Sequence, residues 1–274
     1  MTSSQLSGID THAHIFSRGL PLASGRRYNP DYDALVEQYL GLLDSCGLAH
    51  GVLVQPSFLG TDNSFMLAAL DKYPERLRGI AVVLPSICVD ELDRLAASGV
   101  VGVRLNLVGQ QLEDYSNECW QNFFQQIAAR DWSVEIQRSL DDLAQILPAI
   151  LQTGVNVVID HFGLPHGGIN PQQANHKAFL ELLANQQIWL KLSAPYRSDL
   201  TAQQVADMFG LLRVASGGVD RMLWGSDWPH TQFENSTSYR EQFQKVQALL
   251  GDPLEWQKVM CANPSRLFKF VNTI

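Results

Sequence analysis

Apolar residues along this chain return in two alternating rhythms. Short apolar runs bounded by Gly, Pro, Asn or Asp are separated by longer stretches in which Leu, Val and Ile recur every three or four positions. The first rhythm is that of strands and the second that of amphipathic helices. Eight strands follow, over 8–14, 51–56, 79–85, 100–106, 132–137, 156–163, 188–194 and 221–227. Helical stretches lie between them, with 31–46, closed by Gly47, and 117–130 as clear examples. Each is long enough to serve as a crossover, so consecutive strands are expected to be parallel.

Several strands also alternate. Val101, Val103 and Leu105 oppose Gly102, Arg104 and Asn106, and Trp132, Val134 and Ile136 oppose Ser133, Glu135 and Gln137. Polar residues on the second face are expected to point inward. Eight such units in 274 residues specify an α/β fold, a (β/α)8 barrel, as a single domain over 1–274. A doubly wound open sheet is the competitor, but the first strand ends in histidines and lacks the Gly-rich turn of nucleotide binders. The segments 28–30 and 163–171 follow strands and read as active-site loops. The tail, 253–270, reads as a closing helix interrupted at Asn263-Pro264.

Composition narrows the class. With 46% hydrophobic and 18% charged residues the chain can bury a large core. A net charge of -8 argues against nucleic-acid and anionic-membrane partners, which need a basic surface. Cys46, Cys88, Cys119 and Cys261 are irregularly spaced with no Cys-x-x-Cys pair, so they are expected to be reduced, buried and inert. The polar start, 1–8, has no signal-peptide pattern and no apolar run reaches the ~20 residues of a membrane span, so a cytoplasmic protein is expected. Its surface suits a monomer or a homodimer alike.

The chemistry gathers at strand ends. Asp10-Thr11-His12-Ala13-His14 places two histidines at i and i+2, on one side of a strand. Trp224-Gly225-Ser226-Asp227-Trp228-Pro229-His230 answers it from the last strand, which meets the first only in a closed barrel. The other ends contribute Gln55 and Ser57, Arg104 and Asn106, Glu135 and Gln137, His161, and Lys191 and Ser193. So many polar groups need a ligand or a network to satisfy them. Asp227 is the candidate general base for attack by water, or else a turn cap. His12, His14 and His161 either ligate a divalent metal or donate hydrogen bonds to a carbonyl oxygen gaining charge. Arg104, where two-metal barrels carry a carboxylated lysine, and Glu135-Ile136-Gln137, where they carry a histidine, argue against a binuclear centre. Arg104 and Arg197 are candidates to bind a substrate carboxylate through their planar forks, or else to pair with Glu135 or Asp160. Tyr28, Tyr196, Gln55 and Ser57 are candidates for orienting a polar ring, and His230 for lining the pocket.

Taken in order, these residues resemble the amidohydrolase superfamily, in its branch containing 2-pyrone-4,6-dicarboxylate lactonase and sugar-acid lactonases. The matching points are the segments around His12 and His14, Tyr28-Asn29-Pro30, Gln55-Pro56-Ser57, Asp62-Asn63, Val103-Arg104 and Asp160-His161-Phe162-Gly163. They continue through Lys191-Leu192-Ser193, Tyr196-Arg197, Trp224 to Pro229 and Asn263-Pro264. The resemblance implies hydrolysis of a small anionic lactone, with Asp227 activating water, His12, His14 and His161 polarising the carbonyl, and Arg104, Arg197 and Tyr28 binding carboxylates. It implies no required metal, with a single zinc at the histidine cluster as the alternative found in some relatives. Phe58-Leu59 puts an apolar pair in a substrate-contact loop, a departure from the pyrone dicarboxylate pattern. Two rival activities remain: a zinc-dependent decarboxylase of the same superfamily, and a non-catalytic protein that binds a small acid.

Overall fold

Eight strands pair in parallel in the order of the chain: β1 (Ile9–Ala13), β2 (His50–Val54), β3 (Leu77–Ala81), β4 (Val100–Asn106), β5 (Ser133–Gln137), β6 (Asn156–Ile159), β7 (Ile188–Ser193) and β8 (Met222–Gly225). Helices α1 (Val36–Ser45), α2 (Ser64–Lys72), α3 (Val89–Ala97), α4 (Glu118–Ala129), α5 (Leu140–Leu151), α6 (Ala174–Leu182), α7 (Ala202–Ala215) and α8 (Tyr239–Leu249) alternate with them. This is the expected (β/α)8 barrel, seen in a computed structural model that describes residues 7–270. The polar start read over 1–8 therefore falls mostly outside the described residues. Among them, no helix is long and apolar enough to cross a membrane.

The barrel closes between β1 and the end of β8. Asp227 N donates to His12 O at 2.8 Å, His14 N donates to Trp228 O at 2.7 Å, and Ala13 bridges Trp228 in parallel. Asp10 stitches the seam from one side: its carboxylate accepts from the amides of His12 and Ser226 and from the Tyr239 hydroxyl. Gly225 lets the strands approach, since a Cβ there would lie 2.5 Å from that of His12.

Apolar packing falls into two main layers. Val103, Leu105, Val134 and Ile136 face outward onto helices such as α4 and α5. Inside, Ile9, Val52, Ile80, Val158 and Leu223 form a plug with Leu267, Phe268 and Phe270 of the C-terminal segment. Val101 belongs to this inner cluster and not with Val103 and Leu105, as simple alternation requires. The β3–β4 register shifts there, so that Val101 is an extra residue and its side chain changes face. The tail is interrupted just ahead of the expected Asn263-Pro264, dividing into α9 (Pro253–Gln257), a π-helical turn over Lys258–Ala262, and α10 (Asn263–Phe268), which that pair opens. The cysteines are free but not buried: Cys88 and Cys119 are exposed at helix starts, and Cys46 and Cys261 are half-buried.

Candidate active site

The C-terminal strand ends bring His12, His14, His161 and Asp227 together, with side chains 0–6% exposed. β1 carries His12, and His14 follows directly after its last residue. β6 and β8 end earlier than the sequence pattern indicates, and those ends aim the other pair. Beyond Ile159, His161 (φ 54°) and Phe162 (φ 55°) turn into a left-handed loop closed by Gly163. Beyond Gly225, Asp227 sits at φ 60°, a conformation that Asp tolerates better than most residues.

Asp227 is held by one oxygen and bare at the other. Its Oδ2 accepts from the Tyr196 hydroxyl at 2.5 Å and from Arg197 Nε at 2.7 Å, with Arg197 Nη2 also 2.7 Å away. Its Oδ1 faces Nε2 of His12, His14 and His161 at 3.7, 3.7 and 3.8 Å, too long for hydrogen bonds. Asp227 Oδ1 and His12 Nε2 are both buried without a hydrogen-bond partner. Burial opposes the charge on Asp227, but the Arg197 guanidinium outweighs it and keeps the carboxyl well below its usual range. Burial lowers His161 to about 4, so at neutral pH the ring is uncharged.

The neighbours of each ring decide which nitrogen carries a proton. His14 Nδ1 lies 2.7 Å from Val54 O, and a carbonyl only accepts, so in the neutral ring Nε2 offers a lone pair inward. In that state His14 accepts at Nε2, which of its two expected roles suits a metal ligand and not a donor to a carbonyl oxygen. His161 Nδ1 meets the Ser193 hydroxyl at 2.8 Å, which can act in either sense. Behind His12 lies a buried ionic layer of Lys191, Glu135, Asp160 and Arg104. Burial raises the Glu135 carboxyl, while Asp160 is pulled well down against its burial by the Lys191 ammonium and the Arg104 guanidinium.

In front of the histidines is a cavity of about 240 Å³, of a size for one small ring with substituents. Arg104, Ser57, Tyr28 and Arg197 line it, as do Phe58 and His166. Arg104 spends Nε on Asp160 at 3.3 Å and Nη2 on Gln137 at 2.6 Å. Arg197 holds Asp227 and the Thr231 carbonyl, so much of its fork serves the base. The Tyr28 hydroxyl donates to Glu234, which also accepts from Tyr32. Two expected ring-orienting residues do other work. Gln55 uses its amide on the carbonyls of Asp62 and Gly60, shaping the loop that carries Ser57, and Tyr196 holds Asp227. Phe58 packs on Phe16 and Tyr28 and gives the cavity an apolar wall, while Leu59 lies beneath it. His230 is buried against the Tyr196 hydroxyl rather than in the cavity.

A cavity arginine escaped the sequence reading. Arg27 is exposed at the mouth, its Nη2 donating to the neutral Asn106 Oδ1 at 3.1 Å, and partial burial with nearby Arg104 and Arg197 pushes its pKa down. Its signal was the pair Arg26-Arg27 in an acidic chain, directly before Tyr28.

Ligand atoms of His12, His14 and Asp227 lie within 4.8 Å of one another, so by distance and residue type this group could hold one divalent ion. Hydrogen bonding supports two of the three as ligands, the bare Asp227 Oδ1 and the inward lone pair of His14. It opposes His12, whose Nδ1 faces an ammonium.

Residues 9–270 match the amidohydrolase family model. The chain belongs to the amidohydrolase family. It is 31% identical over 239 residues to the 2-pyrone-4,6-dicarboxylate hydrolase of Comamonas testosteroni, covering 83% of this chain and 78% of that one. It is 27% identical to the 4-sulfomuconolactone hydrolase of Hydrogenophaga intermedia, covering 94% and 88%. Among solved structures, a probable 2-pyrone-4,6-dicarboxylic acid hydrolase from Acinetobacter baumannii, with citric acid bound, superposes with a TM-score of 0.92 at 38% identity, covering 96% of this chain and 100% of that one. These amidohydrolases share with the present chain the whole barrel and not merely a motif.

Proposed function

We propose that this amidohydrolase hydrolyses the ring ester of a small lactone bearing one or more acid groups. The carrying observation is the bare, buried Asp227 Oδ1 facing three imidazole Nε2 atoms beside a guanidinium-lined cavity. Water placed between Asp227 and the lactone loses a proton to Oδ1 as its oxygen attacks the carbonyl carbon. The carbonyl oxygen gains charge and takes a hydrogen bond from an inward imidazole N–H. When the tetrahedral centre collapses, the carbon to ring-oxygen bond breaks and the leaving oxygen receives the proton held on Asp227. Arg104, Ser57 and Arg27 meet the acid groups, and Phe58 covers a ring face. Names of the relatives support this substrate class: one acts on a pyrone dicarboxylate, another on a lactone carrying a sulfonate. A divalent ion held by Asp227 and His14 would supply Lewis-acid polarisation of the same carbonyl.

The test is an assay of chelator-treated protein on a panel of carboxylated lactones, including 2-pyrone-4,6-dicarboxylate. Ring opening is followed by absorbance and proton release, with and without zinc. Metal-free turnover is expected, and Asp227→Asn should lower kcat by about 10²–10⁴-fold with KM nearly unchanged. Absence of ring opening across the panel would sink the lactone reading, and turnover only with zinc would sink its metal-free form.

A further inference from the structure

Lys191 is fully buried on β7, in a layer the reaction above does not touch. An ammonium has three N–H donors and no acceptor. Three acceptors stand around Nζ: Glu135 Oε1 at 2.7 Å, His12 Nδ1 at 3.1 Å and Asp160 Oδ1 at 3.2 Å. Of the three, only His12 Nδ1 stands in hydrogen-bonding geometry to Nζ, and the two carboxylates pair with it as charges. His12 Nδ1 therefore offers its lone pair to Lys191, and in a neutral ring the proton must sit on Nε2, pointing at the cavity. A ring that accepts at Nδ1 carries only one N–H, so it is neutral. The layer needs no charge from it: Lys191 and Arg104 balance Glu135 and Asp160. Were the proton on Nδ1 instead, it would face the ammonium hydrogens 3.1 Å away in the buried interior, where two opposed donors are costly.

We propose that Lys191 is a positioning residue that holds His12 as its Nε2–H tautomer. The two histidines at the end of β1 are then unlike: His12 presents a donor and His14, bonded to Val54 O, presents an acceptor. Built on the lactone reading, this makes His12 the donor to the carbonyl oxygen and His14 the acceptor that orients the attacking water. It also disfavours His12 as a metal ligand, since its inward nitrogen has no free lone pair.

The tautomer can be read directly, without substrate, from long-range ¹⁵N–¹H correlations of ¹⁵N-histidine-labelled protein, with the His12 signals assigned by their loss in His12→Gln. The wild-type ring is expected to be protonated on Nε2. In Lys191→Met it should change to Nδ1–H, which Asp160 Oδ1, 3.4 Å away, can accept. Lys191→Met/Glu135→Gln removes one charge of each sign and serves if the single variant fails to fold. On a turned-over lactone, both variants should lose about 10²–10³-fold in kcat, the cost of one oxyanion donor, with KM within about twofold. A wild-type Nδ1–H ring, or an unchanged tautomer in the variants, overturns the proposal. A changed tautomer with unchanged kcat overturns the donor role of His12. If the tautomer switches as expected but the wild type opens no lactone, the positioning role stands and the lactone reading falls.

Discussion

His12 and His14 stand two residues apart at one strand end, yet their environments treat them as different groups. One ring backs onto an ammonium and the other onto a carbonyl. The same dependence on neighbours governs Asp227, which stays ionised because Arg197 lies on its outer oxygen. In Arg197→Gln the carboxyl loses that stabilisation and its pKa rises. The acid limb of kcat should then move to higher pH, because the base is competent only above its own pKa; an unmoved limb in a full pH profile would show that Arg197 does not tune the base. Arg27 pairs with no carboxylate among the described residues and is the expected site for an acid group at the cavity mouth. Arg27→Met should raise KM by about tenfold or more for a lactone with a distal acid group, the worth of a charge-assisted hydrogen bond. Its KM for a lactone without that group should barely change. Equal KM effects on both would remove Arg27 from recognition.

At the level of elements, the site depends on the seam between β1 and the end of β8. Gly225 is there because two strands approach closely. Gly225→Ala would drive a Cβ into that of His12 and should cost about 1–3 kcal/mol of stability, read by urea unfolding, together with much of the activity. Native-like stability and kcat would mean the seam relaxes freely. All eight strands and their order were legible from hydrophobic runs and helical periodicity. Their ends were less so. The expected strands ran on through 163 and 227, but the backbone leaves the ladder at Asp160 and Ser226, because turning out of the sheet is what aims His161 and Asp227. Alternation likewise misplaced Val101, since a register shift leaves no compositional trace.

The whole molecule carries its charged machinery inside, which links stability to pH. An imidazole of the unfolded chain titrates near 6.5, and His161 in the fold at about 4. Below 6.5 the unfolded chain binds the extra proton, so this contribution is complete above that pH, declines as pH falls, and is gone below about 4. One fully buried group shifted this far is worth about 3 kcal/mol. The urea midpoint should therefore fall between pH 7.5 and pH 4.5, and His161→Asn should flatten part of that fall; equal slopes would assign it elsewhere. The sequence by itself determined the barrel and the residues His12, His14, His161, Arg104 and Asp227, because periodicity and residue type are local properties that survive without coordinates. Only the tertiary structure decided that Gln55 and Tyr196 support loops and base, that Arg27 reaches the mouth, and that Lys191 stands behind His12. Those are facts about which atoms meet across the barrel, and hydrogen-bond polarity is settled by the partner, not by the residue that bears the ring.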